Sequence, residues 1–381
     1  MKSLDKIAES IHLNCEKCYL DTGAMSLMPE EVWQAVQAFH ENRRKYGPAF
    51  AEYWKEVDLL RQDIASLIGS SPEEVMFLQN TSMGINLAAQ ALKLEAGDNV
   101  VITNLEFPSN VYPWMNLEAR GIEVRMLDIS DGVLDEPKLF KICDEKTKAL
   151  SISWIQSANG MVADLEMCSE FCRNNQMYFI LDAIQGLGVL PLDLQKIHLD
   201  FVISGFFKWM LGPDGIAFVY VNKETLPELG VPFTGWAGMK NIFDYSAYQF
   251  DLAGEARQYE TGNMNFSGIY GARQGVRVIL EHQREITERV QELTGYLREQ
   301  IRNRKHLMLL SPAEVGAAGI TLLGCENAGK VFEELKAKNI CVNYRGGLRV
   351  SVHFYNTKED VDRLMEALDG CCHSVTARSV K

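Results

Sequence analysis

Ser204–Val221 reads SGFFKWMLGPDGIAFVYV. Its lysine, Lys208, stands among Phe206, Phe207, Trp209 and Met210, and Gly212-Pro213 and a near-continuous apolar run follow. A surface lysine ordinarily has polar neighbours. A lysine deprived of water has a lowered pKa and can form a Schiff base with a carbonyl. The plainer alternative is a lysine whose stem packs on a hydrophobic strand while its ammonium reaches water. The stretch alone leaves both open, and the rest of the chain decides.

Outward from this stretch, short apolar runs alternate with helical segments. Upstream lie VMFLQ (75–79), NVVITNL (99–105), VRMLDI (124–129), ALSISWIQ (149–156), MYFILDAIQ (177–185) and FVISG (201–205). Helical signals include Pro29–Gly47, with proline at the start and glycine at the end, and Glu52–Gly69, with Val57, Leu60, Ile64 and Leu67 at helical spacing. The pattern predicts an α/β fold with a mostly parallel central sheet buried on both faces. Gly268–Asn303 reads as a long helix broken once, leading to a smaller α+β unit built from Gly319–Gly324, Ala328–Ile340, Leu348–Phe354 and Lys358–Asp369. The expected organisation is an N-terminal segment (1–20), a large domain (21–265) and a linking helix with a small C-terminal domain (266–381).

The 381 residues suffice for a large core and a second domain, with 47% hydrophobic and 23% charged residues. A formal net charge of −13 argues against nonspecific binding to nucleic acid or an anionic membrane. The polar start MKSLDKIAES has no apolar segment typical of a signal peptide, and no run reaches the length of a membrane span, so a cytoplasmic protein is expected. Cys15 and Cys18 form one C-x-x-C, half of what a structural zinc site needs, and the nine cysteines read as free thiols. Neither a P-loop nor a dinucleotide-binding glycine motif is present.

Four elements combine into a chemistry. Asp182 ends the strand MYFILD, where open α/β sheets place their functional crevice, although capping the next helix is a simpler task for it. Lys208 follows 26 residues later, beyond another strand. Thr81 and Ser82, in QNTSMGINLAAQ, open a helix whose unpaired N–H groups and hydroxyls suit an anion. Phe107 follows the strand NVVITNL and offers a flat face for stacking, or else fills core. A lysine for an imine, an aspartate for a pyridine nitrogen, a phosphate site and a stacking ring are what pyridoxal phosphate requires.

With these pieces the chain resembles the class V aminotransferase family of fold-type I pyridoxal-phosphate enzymes, which includes cysteine desulfurases, selenocysteine lyases, kynureninase and isopenicillin N epimerase-like proteins. The resemblance runs from YLDTGAMSLMP near residue 19 to LRVSVHFYNTKEDVDRLMEAL near residue 368, and LDAIQ, FKWMLGPDGIAFVYV and EFPSNVYPW carry it most specifically. It implies that Lys208 forms the Schiff base, Asp182 pairs with the pyridine nitrogen and Gln185 contacts the phenolic oxygen. It further implies that Thr81, Ser82 and Ser204 surround the phosphate and that Arg349 grips the substrate α-carboxylate with its planar fork. ETGNMNFSGIYG resembles the loop that crosses to a second subunit, which would bring Asn263 to the other phosphate of a homodimer.

The chain also departs from the family pattern. Phe207 precedes the lysine where many relatives carry histidine, and Phe107 stands where desulfurases stack a histidine. Desulfurases carry a nucleophilic cysteine on a loop well before the arginine, but NICVNYRGGLRVSVHF runs almost directly into Arg349. Cys341 reads as a small strand hydrophobe. The expected activity is nominally that of an aminotransferase acting on an amino acid, the alternatives being a β-eliminating lyase, an epimerase or, from another class, a non-enzymatic regulator. Aromatic residues between Gly230 and Asn265, among them Phe233, Trp236, Phe243, Tyr245, Tyr248, Phe250 and Tyr259, suit a subunit interface, with Arg257 near it.

Overall fold

The computed structural model describes residues 2–244, 246, 248–312 and 318–376, with side chains as far as residue 371; Tyr245 lies outside the described residues. The apolar runs form a seven-stranded sheet in the order Val75–Leu78, Ala217–Val221, Phe201–Gly205, Tyr178–Asp182, Thr147–Ser153, Asn99–Thr103, Glu123–Leu127. Ala217–Val221 is antiparallel to both its neighbours, and the remaining pairs are parallel. Six strands therefore share one direction and bring their carboxyl ends to one edge of the sheet.

Residues on the central strands alternate between two cores, as the two-residue period of a strand requires. Phe77, Val101, Leu150, Phe179, Leu181 and Val202 enter one, which also holds Val57, Leu60 and Ile64 of the helix Phe50–Ile68 and Ile269, Val276 and Ile279 of the helix Phe266–Arg302. Met76, Val100, Ile102, Ile180, Ile203 and Val219 enter the other, against the helix Thr81–Ala91. Gly84 lets this helix sit close to the sheet, since a Cβ there would come 2.5 Å from Ile203 Cγ2.

The helix after Pro29 spans Glu30–Tyr46 and ends at Gly47 with φ +80°. The long helix runs over 37 residues and is interrupted once, at His282 (φ −122°, ψ 15°). A four-stranded antiparallel sheet follows, in the order Asn343–Tyr344, Leu348–Ser351, Ile320–Cys325, Leu307–Leu309. Two features went unread in the sequence. The polar-looking start contains the helix Leu4–Leu13, which buries Leu4, Ile7, Ala8 and Ile11. The C-x-x-C segment enters a short strand, Cys18–Tyr19, that pairs in parallel with Ile340–Cys341. Among the described residues no helix is long and apolar enough to cross a membrane.

Candidate active site

At the carboxyl edge of the sheet, Asp182 ends its strand beside Ser153 on one side and Ile203 on the other. Two residues beyond Ile203 the strand ends at Gly205, and Lys208 stands in the following turn. That turn is closed by Gly212 N–H to the Phe206 carbonyl at 2.8 Å and Leu211 N–H to the Lys208 carbonyl at 3.0 Å. Both residues face a cavity of about 330 Å³ that also takes in Thr81, Ser82, Phe107, Gln185, Phe207, Arg345 and Arg349. Residues up to 326 positions apart in sequence, from Gly23 to Arg349, thus meet in one place.

Lys208 is only 9% exposed. Its Nζ lies 5.8 Å from the Phe107 ring centre and 5.6 Å from that of Phe207. Burial pulls its pKa down to about 8; Arg349 and Arg345 add to the effect, and Asp182 opposes it. Burial likewise lifts Asp182, to about 7, with Glu106 adding to the rise and the Ile184 N–H and Lys208 opposing it. The snorkelling alternative for Lys208 does not hold, because its head lies in the cavity rather than in bulk water.

The anion end is built by the helix Thr81–Ala91. Asn80 caps it, accepting from Met83 N–H at 2.9 Å. Thr81 Oγ1 is buried and has no hydrogen-bond partner, an arrangement that costs free energy unless a ligand supplies one. Gly205 faces it: a Cβ there would come 3.2 Å from Thr81 Oγ1 and 3.1 Å from the Phe207 ring. Ser82 shares a 2.7 Å hydrogen bond with Ser109. Phe107 is 38% exposed, so its ring is free for a flat ligand and is not core filler.

The opposite end is set by Arg349. Its Nη2 donates to Asp21 at 2.9 Å and its Nη1 to the Ser157 carbonyl at 3.1 Å, while Nε is buried without a partner. Gly23 lies against the guanidinium, where a Cβ would come 3.4 Å from Cζ, so the missing side chain leaves room over the fork. Gln185 is held from both sides: Trp209 Nε1 donates to its Oε1 at 2.7 Å, and its Nε2 donates to the Gly23 carbonyl at 3.0 Å.

Two expected residues stand elsewhere. Ser204 does not line the cavity; strand alternation turns it away, and its hydroxyl donates to the Gly205 carbonyl at 3.2 Å, with Met210 Sδ at 3.7 Å. Asn263 lines a separate cavity of about 200 Å³ with Phe77, Gly215 and Glu260. In the aromatic segment, Phe243, Tyr248 and Phe250 are exposed while Tyr259 is fully buried, and Arg257 pairs with Glu255. Cys341 is not among the cavity residues, and burial raises its thiol pKa.

Other residues of the site were missed. Arg345 reaches the cavity from the turn before Arg349. Asp21 pairs with Arg349, and its place in YLDTG was the available signal. Glu106 accepts from Thr103 Oγ1 (2.8 Å), Asn110 Nδ2 (3.0 Å), Ser153 Oγ (2.5 Å) and Gln156 Nε2 (2.7 Å), tying the loop after Asn99–Thr103 to the loop after Thr147–Ser153. Its position just after a strand was the available signal.

A buried lysine, a carboxylate at a strand end, an orphaned hydroxyl at a helix start and an exposed ring suit an aromatic aldehyde that carries a phosphate. The match to known proteins agrees. Residues 18–364 match the model of the class V aminotransferases, and the chain belongs to that family, whose members are fold-type I pyridoxal-phosphate enzymes. It is 27% identical to a probable cysteine desulfurase of Methanothermobacter thermautotrophicus, over 96% of this chain and 97% of that one. It is 26% identical to an uncharacterized aminotransferase of Bacillus subtilis, over 91% and 92%. Its fold is similar to that of the apo cysteine desulfurase from Thermococcus onnurineus NA1, with a TM-score of 0.88 at 22% identity over 98% and 99% of the two chains. It is equally similar to the cystine C-S lyase C-DES, solved with its product cysteine persulfide, with a TM-score of 0.88 at 19% identity over 94% and 98%. The chain is a pyridoxal-phosphate enzyme whose substrate is an amino acid.

Proposed function

We propose that this chain is a β-eliminating lyase, acting on an amino acid that carries a leaving group on Cβ. The observation that carries the reading is the composition of the cavity wall. Among the described residues, Lys208 and Asp182 are its only side chains that titrate near neutrality, and no cysteine, histidine or tyrosine lines it. The relatives named as cysteine desulfurases and the lyase named for a structural neighbour support cleavage of a carbon–sulfur bond at Cβ. Bound there, pyridoxal phosphate supplies an aldehyde for the amino group and an electron-withdrawing ring that acidifies Cα.

The chain's own residues then divide the work. Lys208 would be the attachment point and would move the proton at Cα, since its lowered pKa suits it to act as a base near neutral pH. Asp182 would hold the ring nitrogen in its charged form, and that positive charge would counter the rise that burial imposes on the carboxyl. Thr81 and Ser82 would hold the phosphate at the helix start, Phe107 would offer its face to the ring, and Gln185, oriented by Trp209, would contact the phenolic oxygen. Arg349 takes the α-carboxylate, with Asp21 keeping its fork aligned.

One base on one side of Cα suffices to start elimination. Epimerisation by two bases would need a second group that the wall does not offer, and transamination needs an amino acceptor. A thiolate or another stable anion leaves without protonation, so no further acid is required. With no wall thiol among the described residues to take up sulfur, the released group departs to solvent and not as a persulfide on the protein. We also propose a homodimer in which Asn263 serves the partner's phosphate, a reading supported by its place in a cavity separate from that of Lys208 and by the exposed aromatics Phe243, Tyr248 and Phe250 in the preceding segment.

The test is to incubate the pyridoxal-phosphate-loaded enzyme with β-substituted amino acids and to follow pyruvate, ammonia and the leaving group. Expected are equal amounts of the three with no keto acid added. Cofactor amination in proportion to keto acid formed, or turnover only with an added amino acceptor, would refute elimination.

A further inference from the structure

Arg345 lies in a three-residue turn between Asn343–Tyr344 and Leu348–Ser351, whose last and first residues, Tyr344 and Leu348, pair. The turn is tight: Arg345 N–H donates to the Gly347 carbonyl at 2.8 Å, and Gly346 between them has φ +73°. The short hairpin fixes Arg345 four residues from Arg349 and brings both to the same cavity. Their settings differ. Arg349 is 1% exposed and already faces Asp21, whereas Arg345 is exposed and makes no ion pair among the described residues. Its guanidinium carbon stands 6.0 Å from the centre of the Phe107 ring, which favours a cation near its face.

An amino acid held at its α-carboxylate by the deep Arg349, with Cα near Lys208, has its inner side closed by Gly23 and Gln185. A Cβ substituent would then reach the solvent side of the cavity, which the exposed Arg345 lines. We propose that Arg345 is a specificity-determining residue that selects substrates whose Cβ substituent carries a negative charge of its own, such as a sulfonate, thiosulfonate or phosphate. This rests on the elimination reading only for what happens after binding. A guanidinium in this position would pair with the departing anion as well as the bound one, since its planar fork matches such oxyanions in two-point contact.

The experiment measures binding and turnover separately, on the pyridoxal-phosphate-loaded enzyme. Equilibrium dialysis compares cysteate with norvaline, of similar length but with an uncharged side chain. Turnover is compared for S-sulfocysteine and S-methylcysteine, and the difference in intrinsic leaving ability cancels when the wild-type ratio is divided by the variant ratio. Cysteate is expected to bind the wild type at least about tenfold more tightly than norvaline, and Arg345→Ala to reduce that preference by about 10- to 100-fold, the range for a charge-assisted contact. Arg345→Lys should keep part of it and Arg345→Glu should reverse it. The kcat/KM ratio should collapse in parallel. A wild type that binds both ligands alike, or an Arg345→Ala variant that loses both equally, overturns the proposal; equal loss would make Arg345 a second α-carboxylate ligand. A cysteate preference that depends on Arg345, without pyruvate from any substrate, would refute elimination and leave the specificity assignment standing.

Discussion

Asp21→Asn should destabilise the protein by about 2–4 kcal/mol, although it changes one atom. Arg349 and Asp21 form an ion pair at 2.9 Å with side chains 2% and 13% exposed, so solvent screens it little. Opposite charges about 4 Å apart between centres attract by roughly 4 kcal/mol at an effective dielectric of 20. Removing one partner of a buried pair typically costs about 3–5 kcal/mol, because the other charge stays buried alone. The amide retains an oxygen for Arg349, which returns about 1 kcal/mol. Its nitrogen, however, would face Asn343 Nδ2, which now donates to Asp21 Oδ2 at 3.0 Å, so a second bond must be remade by turning Asn343. Urea denaturation of the loaded enzyme, wild type against Asp21→Asn, reads the difference. The same substitution in an Arg349→Met background should cost less than about 1 kcal/mol, because the charge that needed compensation is gone. Equal costs in the two backgrounds, or a loss below about 1 kcal/mol in the wild type, would refute the claim that Asp21 neutralises and aligns the arginine.

Three further outcomes are expected. Lys208→Ala should abolish the borohydride-reducible link to the cofactor and lower turnover by at least about 10²–10⁴, the usual worth of a positioned proton carrier; a link that persists on the same peptide would point to another lysine. His353 is fully buried, Trp209 O lies 3.2 Å from its Nε2, and burial holds its pKa near 3, so between that value and the ordinary 6.5 the unfolded chain binds the extra proton. Stability should therefore rise with pH through this window and be lost as pH falls, by about 3 kcal/mol between pH 7 and 4, and His353→Gln should flatten that slope in denaturation curves; an unchanged slope would place the protonation elsewhere. Mixing Lys208→Ala with Asn263→Asp subunits should restore activity, because heterodimers with shared sites contain one intact site; no recovery in verified heterodimers would put Asn263 within its own chain's site.

Much of the fold could be read locally. Apolar runs of four to seven residues between capped helices can bury themselves only in a two-sided sheet, and Pro29 and Gly47 bound a helix through their own backbone preferences. Lys208, Asp182 and Thr81 stood out locally, because strand ends and helix starts carry their geometry with them, and Arg349 through the resemblance; the fold brings all four to one cavity. Side-chain direction and long-range pairing were not. Ser204 sits on the expected strand, but a one-residue alternation turns it from the cavity to Met210. Asp21, Glu106 and Arg345 gain meaning only from partners 328, 47 and 238 residues away, namely Arg349, Ser153 and the Phe107 ring. The strand Cys18–Tyr19 is too short to declare itself until Ile340–Cys341 lies beside it. Propensity and periodicity act over a few residues and reside in the chain. Ion pairs, closed cavities and the loss of water around a lysine arise when distant segments meet, and the tertiary structure alone decides them.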